Sequence, residues 1–158
     1  MDATSRKTRE INAENGVYTT SYDPANNVIL TLDPRSEGST HTYDAANRLI
    51  GQAFTDASVY TFSYDPVGNR LTAVSAAGTY TSTYDARNQL IDLAEPGEKI
   101  VTYTYDAANR RTEMSAYGKG IFTYVYDAAN RQTQAITPQL LSTTLGYDAV
   151  NRTIQRQS

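Results

Sequence analysis

The sequence predicts an all-β protein: an array of antiparallel β-hairpins forming a continuous spiralling sheet, like a β-solenoid or a segment of a barrel-like shell. First, a Tyr-Asp pair recurs along the 158 residues at intervals of 21, 21, 20, 21, 21 and 21, and a fixed period indicates a repeat architecture. Second, the residues before each pair alternate with the period of a strand. Third, Tyr is the dominant large side chain, with 13 copies, and Tyr favours strands.

Each repeat begins with a predicted strand that has two different faces. A Thr stands three places before every Tyr-Asp pair, from Thr19 to Thr144. The alternate positions carry bulkier residues in most repeats, such as Phe62, Val101 and Leu145. Because successive side chains of a strand point to opposite faces, we expect one hydroxylated face and one mainly aromatic or branched face. The Tyr of each pair is expected to pack on the second face as a core residue.

The Tyr-Asp phrase predicts a tight turn at the end of that strand. An Asp at the head of a turn can accept hydrogen bonds from backbone N–H groups further on, and an Asn or Gly four places after the Tyr suits a left-handed backbone. We expect the Arg that closes several copies to pair with an Asp or to lie over a Tyr ring. The structural motif comprises Tyr22, Asp23, Tyr43, Asp44, Asn47, Arg48, Tyr64, Asp65, Gly68, Tyr84, Asp85, Asn88, Tyr105, Asp106, Asn109, Arg110, Tyr126, Asp127, Asn130, Arg131, Tyr147, Asp148, Asn151 and Arg152.

A second strand follows each turn and is predicted to pair back on the first as a hairpin. Stretches with turn-like chemistry then connect one hairpin to the next. They are residues 12–16, 33–38, 55–58, 75–78, 95–98, 117–120 and 138–141. Two strands and two turns per period leave no room for a helix, so we expect a meander of roughly 15 short strands.

Residues 1–158 are predicted to form a single domain of about seven and a half 21-residue repeats. Extending the period backwards from Tyr22 places the preceding Tyr position on Met1, and the last copy begins at Tyr147. We therefore expect this chain to be a segment of a longer array. An array cut in this way exposes strand edges around residues 2–11 and 147–157, which predicts self-association through edge pairing.

Composition and charge exclude several classes of function. The formal net charge of −3 is too small to steer a polyanion, so nucleic acid is not an expected partner. No apolar run approaches the roughly 20 residues that a membrane span requires, and the first residues lack the apolar region of a signal peptide. The absence of Cys excludes disulfides and thiol chemistry.

The repeated phrase resembles the YD-repeat family, also called the RHS-repeat family. The best match is Tyr64-Asp65-Pro66-Val67-Gly68-Asn69-Arg70-Leu71, whereas other copies have Asn where the family commonly has Gly. The resemblance implies a long β-strip wound into a hollow shell. In bacterial Rhs and insecticidal Tc-type toxins such a shell encloses a toxic C-terminal segment, and in animal teneurins a similar shell belongs to an extracellular adhesion protein. Nothing after Tyr147 resembles the core-closing, self-cleaving segment of the bacterial shells.

Three chemical roles are conceivable beside a structural one. Each turn offers one carboxylate, whereas calcium takes six to eight oxygens, so we expect no metal or cofactor. The single His, His41, occupies a strand position held elsewhere by Phe62, and no catalytic triad or zinc motif occurs, so we expect no enzyme activity. A row of Tyr residues could stack on sugars. The candidates for ligand-facing aromatics are Tyr60, Tyr80, Tyr103, Tyr117 and Tyr124.

These observations together predict a non-catalytic structural shell segment of a bacterial YD/RHS-repeat protein, of the kind that encapsulates a toxin or effector. The expected partners are adjacent YD repeats of a parent chain and an enclosed toxin or effector segment. The resemblance implies a secreted or cell-surface protein. The alternative is an adhesion module that binds carbohydrate or protein through its connecting turns and aromatic rows, with surface glycans as partners.

Overall fold

The computed structural model describes residues 6–157, and every regular element in that range is a β-strand. Two compact units divide the chain, Met1–Thr79 and Tyr80–Ser158. In each unit the antiparallel strands follow one another in chain order. These observations confirm the all-β hairpin array, and the fifteen strands of the described range match the expected number. The single-domain organisation stays a prediction, and the match of residues 1–5 to the repeated phrase lies outside the described residues.

The first unit contains three complete hairpins, each closed by a Tyr-Asp turn. Its strands are β1 (Arg9–Ile11), β2 (Val17–Tyr22), β3 (Val28–Leu32), β4 (Gly38–Tyr43), β5 (Leu49–Phe54), β6 (Val59–Tyr64) and β7 (Arg70–Ser75). The hairpins are β2–β3, β4–β5 and β6–β7.

The second unit contains four such hairpins. Its strands are β8 (Gly78–Tyr84), which begins just before the unit boundary, β9 (Leu90–Glu95), β10 (Lys99–Tyr105), β11 (Arg111–Ala116), β12 (Gly120–Tyr126), β13 (Gln132–Ile136), β14 (Ser142–Tyr147) and β15 (Thr153–Gln157). The hairpins are β8–β9, β10–β11, β12–β13 and β14–β15.

The strand register confirms the two-faced strand that the alternation predicts. On one face, Tyr103 lies opposite Met114, which lies opposite Phe122 on the next strand. On the other face, Thr104 lies opposite Glu113, which lies opposite Thr123. Bulky side chains therefore follow one another across one face, and hydroxyls and carboxylates across the other.

A β-bulge precedes the Tyr of every described Tyr-Asp turn, and it was not among the features predicted from the repeat. In β10–β11, Thr104 pairs with Glu113 but Tyr105 pairs with Arg111, so Thr112 is an extra residue in the ladder. The same shift recurs between the residue before the Tyr and the Tyr itself in all seven hairpins. A bulge locally changes the direction of a side chain. At each turn, the pairing of the two strands is therefore shifted by one residue.

The structure corrects the expectation that the Tyr residues form a buried core. Among the described residues, no hydrophobic side chain is buried, and the Tyr of each pair is only half-buried. The physical reason is that the strands within each unit contact their neighbours along the chain, so no second layer covers the sheet faces. The two buried side chains in the described range are polar, Ser39 and Ser82, each 7% exposed.

Across residues 6–157 there is no helix with the length and apolar character needed to cross a bilayer.

Candidate functional site: a clasp between successive repeats

The Tyr-Asp turn has one geometry that recurs from repeat to repeat. At Asp106, the backbone N–H donates to the Arg110 carbonyl at 2.9 Å, and the Asn109 N–H donates to the Asp106 carbonyl at 3.0 Å. The Asp106 Oδ1 atom accepts from the N–H groups of Ala108 at 2.9 Å and Arg110 at 3.0 Å. The carboxylate therefore satisfies N–H groups that the ladder leaves unpaired.

The position four places after each Tyr adopts the left-handed backbone that the sequence predicts. Asn109 has φ 64°, and Gly68, which replaces Asn in its repeat, has φ 103°. The other copies are Asn26, Asn47, Asn88, Asn130 and Asn151, with φ between 59° and 70°. Asn and Gly tolerate this conformation better than other residues, which explains their presence at this position.

The Arg that ends the phrase connects its own turn to the next repeat. Arg110 Nε donates to Asp106 Oδ2 at 2.6 Å, and its guanidinium carbon lies 5.0 Å from the centre of the Tyr126 ring. Its Nη1 donates to the Asp127 carbonyl at 2.8 Å and to Asn130 Oδ1 at 3.1 Å. We call this set of contacts the clasp. Both roles proposed for this Arg, ion pairing and ring stacking, occur together in it.

The ring and carbonyl contacts of the clasp recur in both units. Guanidinium groups lie over the Tyr ring of the following repeat in the pairs Arg6 and Tyr22, Arg48 and Tyr64, and Arg131 and Tyr147, at 4.8–4.9 Å. Each of these Arg residues also donates to the Asp carbonyl of the following turn. A guanidinium attracted to a ring face is worth about 0.5–1 kcal/mol at exposed sites. The repetition makes the clasp a systematic joint between repeats.

The Tyr hydroxyl completes the joint from the opposite direction. Tyr126 donates its O–H to the Arg111 carbonyl of the preceding repeat at 2.9 Å. The same bond to the residue fifteen places earlier is made by Tyr43, Tyr64, Tyr105 and Tyr147, at 2.7–3.0 Å, and by Tyr22 at 3.3 Å. Four of these residues, Tyr22, Tyr64, Tyr126 and Tyr147, therefore carry a guanidinium on the ring and also hold the preceding repeat with the hydroxyl.

Three joints have an amide in place of the Arg. Asn27 donates to Asp23 Oδ2 at 2.9 Å and to Asn47 Oδ1 at 2.8 Å, and Asn69 donates to Asp65 Oδ2 at 2.8 Å. Gln89 instead donates to the Asn109 carbonyl at 3.4 Å. Asn27 and Asn69 therefore retain the bond to the carboxylate, but an amide has no charge to place over a ring.

The hydrogen bonds of the turn lower the pKa of its carboxyl groups. The backbone N–H of Arg110 is the largest cause for Asp106, and the Arg110 side chain adds to it against an opposing effect of burial. The same backbone contact lowers the pKa of Asp44, Asp127 and Asp148. For Asp23 the largest cause is the Asn27 side chain. These groups are therefore ionised in the turn, as acceptors of several N–H bonds should be.

Most connecting turns share the hydrogen-bond pattern of the Tyr-Asp turns, which sequence reasoning missed. The Asp33 N–H donates to the Glu37 carbonyl at 2.7 Å, and Asp33 Oδ1 accepts from Arg35 and Glu37. Asn12 plays the same part in its turn. Positive φ angles recur at Asn15, Ser36, Ala57 and Leu140. The signal in the sequence was an Asp or Asn at the head of residues 12–16 and 33–38, although residues 137–141 lack it.

The aromatics predicted to face a ligand have different surroundings within their own units. In the first unit, Tyr60 packs edge-on against Phe54, with ring centres 5.9 Å apart. In the second unit, the Arg111 guanidinium lies 5.7 Å from the Tyr103 ring centre and 4.8 Å from that of Tyr124. Tyr80 lies in β8, and Tyr117 lies exposed in a connecting turn. Their role as ligand-facing residues stays a prediction.

The side chains with catalytic or metal-binding chemistry form no recognisable site in residues 6–157. No group of three His, Asp or Glu side chains converges there in a way that could hold a metal ion. His41 Nε2 lies 3.2 Å from Ser39 Oγ and 3.1 Å from Gln52 Nε2, and its Nδ1 is buried without a described partner. Because no carboxylate orients this imidazole, the Ser39–His41 contact lacks the third member of a triad.

Comparisons with known proteins agree with the repeat geometry. The RHS Repeat family model matches residues 43–80 and 84–121. No curated protein matches the chain. Among solved structures, a Tc holotoxin pore from Photorhabdus luminescens with a substitution in TccC3 is similar over 89% of this chain and 9% of its own, with a TM-score of 0.74 and 15% identity. The crystal structure of TcdB2-TccC3 is similar over 84% of this chain and 9% of its own, with a TM-score of 0.70 and 15% identity.

The chain thus spans a small fraction of those structures, and at 15% identity the likeness shows the fold alone. The fold and the clasp define a class of protein, the β-hairpin repeat arrays in which each repeat is fastened to the next. Within that class, residues 43–80 and 84–121 carry the repeat of the RHS-repeat family.

Proposed function

We propose that this chain is a structural wall segment of a larger secreted RHS-repeat protein, and that the wall encloses a toxin or effector polypeptide. The observation that supports the proposal most strongly is the clasp, because its functional groups hold one repeat to the next. Arg, Asp, Asn and Tyr, which could otherwise serve a ligand, all have structural partners there. The similar solved structures are Tc toxin components.

A wall that encloses a polypeptide must exclude proteases while the repeats stay joined. We therefore expect limited proteolysis of the complete gene product to leave an internal segment intact. The double variant Arg110→Gln and Arg131→Gln, which weakens two neighbouring joints, should make that segment accessible. Arg35→Gln is the matched control, since Arg35 is an exposed connecting-turn residue outside the clasp. Absence of any protected segment in the unaltered protein would overturn the proposal.

The adhesion alternative, with glycans or proteins bound at the connecting turns, has no described observation in its favour and stays a prediction. Binding on a glycan array that is lost in Tyr60→Ala or Tyr124→Ala would support it.

Self-association through the terminal strands β1 and β15 also stays a prediction. Within the described range, each of these strands is paired on one side, and such an edge can accept another strand. Light scattering over a concentration series should show growth in mass, and a constant monomer mass would contradict it.

A further inference from the structure

The joint that follows Gln89 differs from the arginine clasps in a specific way. In the joint after Arg110, one guanidinium contacts the Asp106 carboxylate, the Tyr126 ring and the Asp127 carbonyl. The corresponding groups after Gln89 are the Asp85 carboxylate, the Tyr105 ring and the Asp106 carbonyl. Gln89 is shorter, and its amide donates to the Asn109 carbonyl instead.

The groups that would receive a guanidinium are therefore present at this joint without one. Asp85 Oδ1 accepts from the N–H groups of Arg87 and Gln89, each at 2.8 Å, whereas the structure assigns Oδ2 no protein partner in the described range. No arginine lies over the Tyr105 ring there either, in contrast to Tyr22, Tyr64, Tyr126 and Tyr147.

The neighbouring Arg87 side chain makes one of the hydrogen bonds that belong to the clasp. Arg87 Nη1 donates to Asn109 Oδ1 at 3.1 Å, which is the contact that Arg110 makes with Asn130 in the next joint. Arg87 forms no described ion pair with Asp85. The carboxylate edge and the ring face thus remain as a two-sided receptor of the kind that binds guanidinium elsewhere in this chain.

We propose that the Asp85–Tyr105 joint accepts the guanidinium group of an arginine side chain supplied by a partner polypeptide. A planar cation can stack on the ring while its N–H groups donate to the carboxylate. Arginine suits this receptor better than lysine, because an ammonium lacks the flat face and the forked donors. The inference is independent of whether the parent protein encloses cargo.

The test is a titration of the folded chain with methylguanidinium, followed by NMR through the ring protons of Tyr105. We expect a saturable shift with a Kd on the order of 100 mM, since a single exposed ion pair and ring contact supply little binding energy. Methylammonium at equal ionic strength should produce no saturable shift. Lack of saturation with methylguanidinium, or an equal response to methylammonium, would overturn the proposal.

Two variants test whether the shift of the Tyr105 ring protons arises from binding at this joint or from general binding of cations. Gln89→Arg should abolish the Tyr105 response, because the chain then supplies its own guanidinium. Arg110→Gln should create a matching response at Tyr126 in a joint that had none. An unchanged titration in Gln89→Arg would contradict the proposed site.

The source of the guanidinium is tested with blocked peptides. An acetylated and amidated Gly-Arg-Gly peptide should shift Tyr105 as methylguanidinium does, whereas the corresponding Gly-Lys-Gly peptide should not. If only free methylguanidinium binds, the proposed polypeptide partner is wrong.

Discussion

At the scale of single residues, Arg110 shows how one side chain can belong to two repeats. Its Nε donates to the Asp106 carboxylate of its own turn, and its Nη1 donates to the Asp127 carbonyl and Asn130 Oδ1 of the next. Its side chain is 25% exposed, so the ion pair is partly shielded from water. Because a fixed guanidinium loses less freedom on forming each further bond, the first contact favours the others.

Replacement of Arg110 should measure the contribution of the clasp. Arg110→Gln removes the ring contact, worth about 0.5–1 kcal/mol, and forward hydrogen bonds worth roughly 1 kcal/mol each. We expect the free energy of unfolding in urea to fall by about 2–3 kcal/mol.

Arg152→Gln is the matched control for this measurement. Arg152 pairs with Asp148 at 2.7 Å, but its side chain is 79% exposed. Exposed ion pairs contribute little, so its loss should be clearly smaller. Equal losses of unfolding free energy in the two variants would show that the contacts of Arg110 with the next repeat contribute nothing to stability.

Leu140 offers a residue-scale test of backbone strain. It has φ 63° in a connecting turn and an exposed side chain, although this conformation costs a non-glycine residue roughly 1 kcal/mol. Leu140→Asn should therefore raise the free energy of unfolding by up to about 1 kcal/mol. Leu141→Asn is the control, since Leu141 is also exposed but lacks a positive φ. A gain from both changes would point to lost surface hydrophobicity instead.

At the scale of elements, the turn within a hairpin and the turn that connects it to the next hairpin can share one hydrogen-bond pattern. The Asp33 turn repeats the hydrogen bonds of the Asp106 turn, although it joins two hairpins and not the strands of one. A turn whose hydrogen bonds lie within its own few residues does not depend on contacts with neighbouring strands. This explains how most connecting stretches can reverse the chain in a few residues although their sequences differ.

Gly38 should be essential to the pairing of β3 with β4. A Cβ atom at this position would collide with the Thr31 carbonyl on the facing strand, and backbone cannot yield as a flexible side chain can. We expect Gly38→Ala to lower the free energy of unfolding by about 1–3 kcal/mol, the usual cost of overpacking. Hydrogen exchange should also accelerate at the amides of β3 and β4.

Gly51→Ala is the control within the neighbouring strand. There the added Cβ would meet Thr42 Oγ1, which can move away by rotation of its side chain. Its effect should be smaller, and a larger loss than in Gly38→Ala would contradict the explanation.

The sequence predicted what local chemistry determines and missed what depends on a neighbouring strand. Asp106 and Asn109 identify the turn because their preferred bonds and backbone angles lie within a few residues. The bulge at Tyr105 and the forward reach of Arg110 involve residues on other strands, so spacing alone left the partner of each Arg open. The buried Tyr core was wrong because alternation specifies which face a side chain occupies, but not whether anything covers that face.

At the scale of the whole molecule, the turn carboxylates make stability depend on pH. Asp23, Asp44, Asp65, Asp106, Asp127 and Asp148 all have a pKa below the ordinary value of 3.8. A carboxyl group whose pKa is lower in the folded state stabilises the fold above its unfolded pKa, and this contribution is lost as the pH falls through the folded pKa.

We therefore expect the urea midpoint to be nearly constant above about pH 5 and to fall steadily below about pH 4. Asp106→Asn should reduce the acid dependence, since it removes one of the contributing groups. Glu113→Gln, which changes an exposed strand carboxyl outside the turns, should leave the dependence nearly unchanged. A midpoint that does not fall below pH 4 would show that the turn carboxylates do not govern acid unfolding.

Identical joints also have a consequence for how such a gene can change its length. Residues 43–48, 105–110 and 126–131 have the same six amino acids, and the clasp needs only these residues and their equivalents one period later. Unequal recombination between two such stretches removes or duplicates a whole number of periods, and it rejoins an Arg to a following Tyr-Asp turn. An array of this kind can therefore lengthen or shorten in evolution without the need for a new interface.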